Sequence, residues 1–136
     1  MITLMITPKI NPEIKELWCA ALESETYLQA KGRLRTETGF CCLGVLSDLA
    51  VKAGVQEWIY GVTSATDDGD GYGIPNEGGT PSRGLVHRDI QNWAGLTGGS
   101  ADDPVVRIDN ETHRLSALND QGYDFKTIAQ LIREQL

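Results

Sequence analysis

The sequence predicts a small α+β domain: a central buried helix, several peripheral helices and a few short antiparallel strands. Three observations carry this. Apolar residues recur at helical spacing near both ends, at Ile14, Leu17, Trp18, Ala21 and Leu22 and again at Phe125, Ile128, Ala129 and Ile132. Residues 41–53 are apolar on nearly every side except at Ser47, Asp48 and Lys52, the pattern of a helix packed all round. Short β-branched runs alternate with glycine-rich loops, but not in the regular βαβ order of a parallel sheet.

Each element has a local reason. Ile2 to Thr7 are largely β-branched and suit a short edge strand, with Met5 as an alternative start. Asn11-Pro12-Glu13 supplies a cap, a first-turn proline and an acid at the positive helix end, so a helix should run over 12–23. Tyr27 to Thr38 roughly alternates and is broken by Gly32, which suggests a hairpin or an irregular strand pair. Gly54 should end the central helix. Val55 to Val62 reads as a strand, and residues 63–84, rich in glycine, as one long functional or mobile loop. Val86, Ile90 and Trp93 mark a short helix closed by Gly95, and residues 97–104 form a second loop. Residues 104–109 read as a strand. Thr112 should cap a helix carrying Leu115 and Leu118, Asn119 to Gly122 a turn, and Asp124 should cap the last helix.

The chain has 136 residues, the size of one domain, and 40% of them are apolar, enough for a core without staples. The absence of an apolar run of about 18 residues argues against a membrane-spanning helix. A net charge of −7 makes the chain a poor general binder of DNA, RNA or anionic membrane. Cys19, Cys41 and Cys42 are odd in number, which is no disulfide framework and suits a reducing cytoplasm.

The familiar catalytic signatures are missing: no nucleophile elbow, Walker loop or dinucleotide fingerprint occurs. His87 and His113 lack the hydroxyl residue two positions on that a two-histidine phosphodiesterase needs, since Asp89 and Leu115 stand there. The cysteines read as small buried residues, not as a zinc set or a Cys–His nucleophile. Thr66 to Glu77 matches part of a calcium loop, with Thr66 where an aspartate belongs, and reads as a solvated acidic loop. The last two helices read as a hairpin closing the core, not as a DNA-reading helix-turn-helix. Asp48, in the buried helix, needs a partner for its charge and reads as a structural acid. No cofactor and no metal are expected.

Two clusters suit a small anion. Lys31, Arg33 and Arg35 lie within five residues near Tyr27, and on a strand Arg33 and Arg35 would share a face, two guanidinium forks for a phosphate pair. Arg83, His87 and Arg88 precede or open the third helix. Trp58, Tyr60 and Tyr72 add flat surfaces for bases. The candidate ligand residues are therefore Tyr27, Lys31, Arg33, Arg35, Tyr72, Arg83 and Arg88, with residues 63–84 as a candidate lid. The plain alternative for either cluster is solvated surface charge.

The run Gly39-Phe40-Cys41-Cys42-Leu43-Gly44-Val45-Leu46, with Asp48 and Leu49, and the later Leu115-Ser116-Ala117-Leu118-Asn119-Asp120 with Gly122, resemble a widespread family of small phage-encoded proteins, many from cyanobacterial viruses. Trp18 to Ser24, Gly32 to Arg35 and Trp93 to Leu96 belong to the same resemblance, which covers most of the chain outside 63–84. Ser47 stands where that family often has cysteine. The resemblance, with the size of the chain, implies a phage anti-defence protein of the anti-CBASS type. Such proteins are non-enzymatic, homo-oligomeric (dimer or tetramer) sponges for a cyclic nucleotide, working in the cytoplasm of the infected bacterial host. No binding residue is carried over from it. The alternatives are a protein inhibitor of a host defence complex, with an acidic surface, and a small nucleotide hydrolase.

Overall fold

A computed structural model describes residues 10–61 and 71–136 of the chain. Helix α1 (Pro12–Glu23) begins at Asn11, whose side chain accepts the Glu13 and Ile14 amides at 2.8 and 3.3 Å. Its Ile14, Trp18, Cys19 and Leu22 are buried. Leu17, expected on this stripe, is instead 52% exposed, because the helix is rolled so that Cys19 meets the last helix, its Sγ lying 3.5 Å from the Ala129 carbonyl. Helix α2 (Cys42–Lys52) is the expected central helix, with every residue from Cys42 to Ser47 buried. Strands β1 (Ile59–Gly61) and β2 (Gly71–Gly73) pair antiparallel, Tyr60 opposite Tyr72.

Helix α3 (Arg88–Ala94) follows and ends at left-handed Gly95. Strands β3 (Val105–Ile108) and β4 (Glu111–Arg114) form a second hairpin, and helices α4 (Leu115–Gln121) and α5 (Phe125–Gln135) close the chain. The described residues thus form an α+β fold of five helices and two small antiparallel sheets. Helices α1, α2, α4 and α5 pack together around Trp18, Leu43, Leu46, Leu115, Leu118, Ile128 and Ile132, all fully buried. Each such side chain contributes roughly 1.5–3 kcal/mol by leaving water.

Several expectations are corrected. Tyr27 to Thr38 holds no regular strand; it is an irregular arm with bends at 31–34 and 37–38, joined only by isolated bridges from Gln29 and Arg35 to Phe40. Leu34 explains it: this side chain is fully buried, its N–H donates to the Arg83 carbonyl at 2.6 Å and its carbonyl takes the Cys41 N–H at 3.1 Å. The arm therefore spends its backbone on other segments. Gly44 lets α2 press against it, since a Cβ there would overlap the Leu34 carbonyl.

The 63–84 stretch is not one loop, because β2 lies within it and Ile74 and Ser82 exchange both backbone hydrogen bonds. From Gly71 onward the candidate lid is thus pinned. Thr112 caps no helix and sits in β4 opposite Arg107. Asp109 and Asn110 both take left-handed backbone, φ 53° and 70°, which makes a two-residue hairpin turn. Asp103 reaches over from the preceding loop to cap α4, accepting the Ser116 N–H at 3.1 Å and its hydroxyl at 2.5 Å. Asn119 to Gln121 finish α4, and only Gly122 turns.

The expected edge strand at residues 2–7, the choice between Met1 and Met5, Val62, the 63–70 part of the lid and the first five positions of the calcium template lie outside the described residues.

Candidate functional site

Arg33 and Arg83, one from each basic cluster and some fifty positions apart in the chain, both come to Gly71 of the β1–β2 hairpin. A Cβ on Gly71 would strike the Arg33 guanidinium, and it would lie 3.5 Å from that of Arg83. A side chain at this strand position would make the Arg33 guanidinium shift, while Arg83 would stay in ordinary contact. The Arg83 Nη2 donates to the Gly61 carbonyl at 3.1 Å. One residue along, the Arg35 guanidinium stacks 3.9 Å from the Tyr72 ring centre and lies 5.3 and 5.5 Å from those of Phe40 and Trp58. These spacings are within reach of the attraction between a cation and an aromatic face.

Arg35 is half-buried, yet among the described residues its guanidinium makes no hydrogen bond and no ion pair. It lacks a carboxylate partner there although the chain has 19 acids against 12 Lys and Arg. Rings hold this cation in place while its donors stay unspent, and burying charge without a partner costs energy unless solvent or a ligand supplies one.

The rings form a continuous run. Tyr27 meets Phe40 edge-on at 5.0 Å, Phe40 lies 6.2 Å from Trp58, Trp58 lies 6.4 Å from Tyr72, and Tyr72 contacts its cross-strand neighbour Tyr60 at 4.9 Å. Asp48 anchors the far end, accepting the Tyr27 hydroxyl at 2.6 Å and the Trp58 indole N–H at 2.9 Å. Burial, and then the bond to Asp48, pushes the Tyr27 phenol above its ordinary pKa, so it remains a donor. The nearby cation is Lys52, 3.5 Å from Asp48, and not an arginine. Beside the hairpin runs a groove of about 580 Å³ lined by Tyr60, Gly61, Gly71, Gly73, Thr80 and Arg83. Its volume falls in the range of about 300–1,000 Å³ common for small-ligand sites.

Not every candidate joins the cluster. Arg33, Arg35, Tyr72 and Arg83 do. Tyr27 stands behind Phe40 as a wall support, with Lys52 over its ring at 5.3 Å. Lys31 is exposed, next to Gly32, whose N–H donates to Asp120 on the α4 side. Arg88 is exposed and lines a separate polar groove with Gln56, Asn76 and His87. His87 caps α3 through Nδ1, which accepts the Asp89 N–H at 3.0 Å. Phe40, Trp58 and Asp48 are the site residues whose joint role local sequence did not disclose. A run of aromatics flanking an arginine was the available signal.

The cysteines serve the fold. Cys41 caps α2, its Sγ taking the Gly44 N–H at 3.4 Å, and burial raises the thiols of Cys19 and Cys41 to about 11 and that of Cys42 well above its ordinary value. Among the described residues, no three His, Cys, Asp or Glu side chains group as metal ligands would, and no helix is long and apolar enough to cross a membrane.

The fold and this cluster define a small α+β domain carrying an arginine–aromatic hairpin site. The chain belongs to the DUF8296 family, a domain of unknown function, whose family model matches residues 10–136. No curated protein and no solved structure matches it.

Proposed function

We propose that this protein binds and sequesters a small nucleotide, a cyclic nucleotide second messenger of host defence, and releases it chemically unchanged. It does so as a phage immune-evasion protein in the cytoplasm of the infected bacterium. The observation that carries the reading is Arg35: a guanidinium over the Tyr72 ring, without a carboxylate among the described residues, in a strongly acidic chain. Arg33 and Arg83 beside it add charge for phosphate, and Tyr60 at the groove offers ring surface for a base. The groove is shallow for a ligand with two bases, so a second copy of the chain supplies the opposite wall in a dimer or tetramer.

Calorimetry against a panel of cyclic di- and trinucleotides tests this. The expected result is binding at micromolar affinity or tighter, with the nucleotide recovered intact and binding lost in Arg35→Ala. No heat from any member ends the reading, and a cleaved product would turn it toward the hydrolase.

A second reading has its own observation. The chain carries a net charge of −7, an acidic character that suits contact with a protein that handles nucleic acid. An inhibitor of a host defence complex would capture a stoichiometric protein from host lysate and ignore nucleotides.

A further inference from the structure

Asp48 is placed to govern where Arg35 points. Its side chain, 13% exposed, sits near the end of α2, and both carboxylate oxygens are engaged by ring donors. Oδ2 takes the Tyr27 hydroxyl and Oδ1 takes the Trp58 indole N–H. Lys52, one helical turn on, meets the same carboxylate at 3.5 Å and donates to the Tyr27 hydroxyl at 3.2 Å. Tyr27 then backs Phe40, while Trp58 stands between Phe40 and Tyr72. Those three last rings are the ones around Arg35.

A carboxylate suits this place for a chemical reason. Its two oxygens accept from two donors at once, the Tyr27 hydroxyl and the Trp58 indole N–H. Alanine at this position would leave both donors without that acceptor, and the rings they carry would be free to rotate.

We propose that Asp48 is a positioning residue: with one carboxylate it fixes Tyr27 and Trp58, and through them the cage that aims the Arg35 guanidinium at the ligand. Asp48 does not touch the ligand. The inference rests on the nucleotide reading for its binding arm alone.

The test follows the Arg35 Nε–H resonance by NMR in the free protein. In the unaltered chain, ring currents from Tyr72, Phe40 and Trp58 shift it upfield of free arginine. In Asp48→Ala it moves back toward the free position, and affinity for the best nucleotide of the panel falls about tenfold, the equivalent of one lost hydrogen bond to a charged group. Tyr27→Phe keeps the ring and deletes only the hydroxyl, so it should move the resonance in the same direction, and it decides the matter if Asp48→Ala does not fold. An unmoved Arg35 resonance in a folded variant overturns the proposal. If the unaltered protein binds no nucleotide, the functional reading falls, and the resonance still decides the role of Asp48.

Discussion

The side-chain oxygen of Asn119 accepts the backbone N–H of Cys42 at 3.1 Å, joining the start of α2 to α4 across 77 positions of chain. The same oxygen takes the Gln29 side-chain N–H at 2.9 Å, and the Asn119 amide donates to the Ala30 carbonyl at 2.8 Å. One fully buried side chain thus satisfies the central helix and the arm that carries Arg33 and Arg35. Two sequence motifs far apart in the chain, CCLG and LND, meet at this point.

Asn119→Ala should therefore destabilise the protein by about 3 kcal/mol, since it orphans buried donors and acceptors at about 1–3 kcal/mol each. Asn119→Asp should be as damaging, because it buries a charge and removes the donor to Ala30. Denaturant unfolding reads both, and a change below about 1 kcal/mol would refute the keystone role.

Gly44→Ala tests the close approach of α2 to the arm. Its methyl would overlap the Leu34 carbonyl, and backbone on both sides has no room to give. We expect a loss of about 4 kcal/mol or failure to fold, in place of the stabilisation that alanine usually brings to a helix. A variant as stable as the parent would mean the arm is not clamped.

The three thiols should resist alkylation in the native protein at neutral pH. Cys19 and Cys41, with pKa values pushed up by burial to about 11, are almost wholly protonated there, and Cys42 is further from ionising. Iodoacetamide followed by mass spectrometry should find none modified without denaturant and all three modified with it. Rapid native labelling of any one would show that the core around α2 opens readily.

Arg133 on α5 clasps α1 through Glu16 at 2.5 Å and Glu23 at 2.7 Å. The bond to Arg133 holds the Glu23 carboxyl below its ordinary value of 4.5. A lowered folded-state pKa adds stability that is present above the unfolded value and lost as pH falls through the folded one. Unfolding followed from pH 7 downward should thus lose stability below about 4.5, and Glu23→Gln should flatten that part of the profile. An identical acid profile in the variant would remove Glu23 from the account.

Much of the fold was legible because its causes are local. Asn11-Pro12-Glu13, the all-round apolar 41–53 segment, Gly95 and Asp124 act within a turn or two of chain, and each helix they mark is present. Thr112 misled for the opposite reason: the residues that decide its state are the left-handed pair Asp109 and Asn110 before it and Asp103, which supplies the helix cap from another loop. The hairpin turn was visible in principle, since Asp and Asn tolerate left-handed backbone.

The candidate site divides in the same way. Sequence alone determined which residues are cationic and which are flat, and it singled out Tyr27, Lys31, Arg33, Arg35, Tyr72, Arg83 and Arg88 as candidates. Only tertiary structure decided that Arg33 and Arg83, from two separated clusters, meet at Gly71, that Phe40 and Trp58 wall in Arg35, and that Asp48 spends itself on ring donors. The physical reason is range. Caps, periodicity and turn backbone are settled by neighbours in the chain, whereas a cation's rings and a carboxylate's donors come from segments that only the packing of α2, the arm and the hairpin brings together.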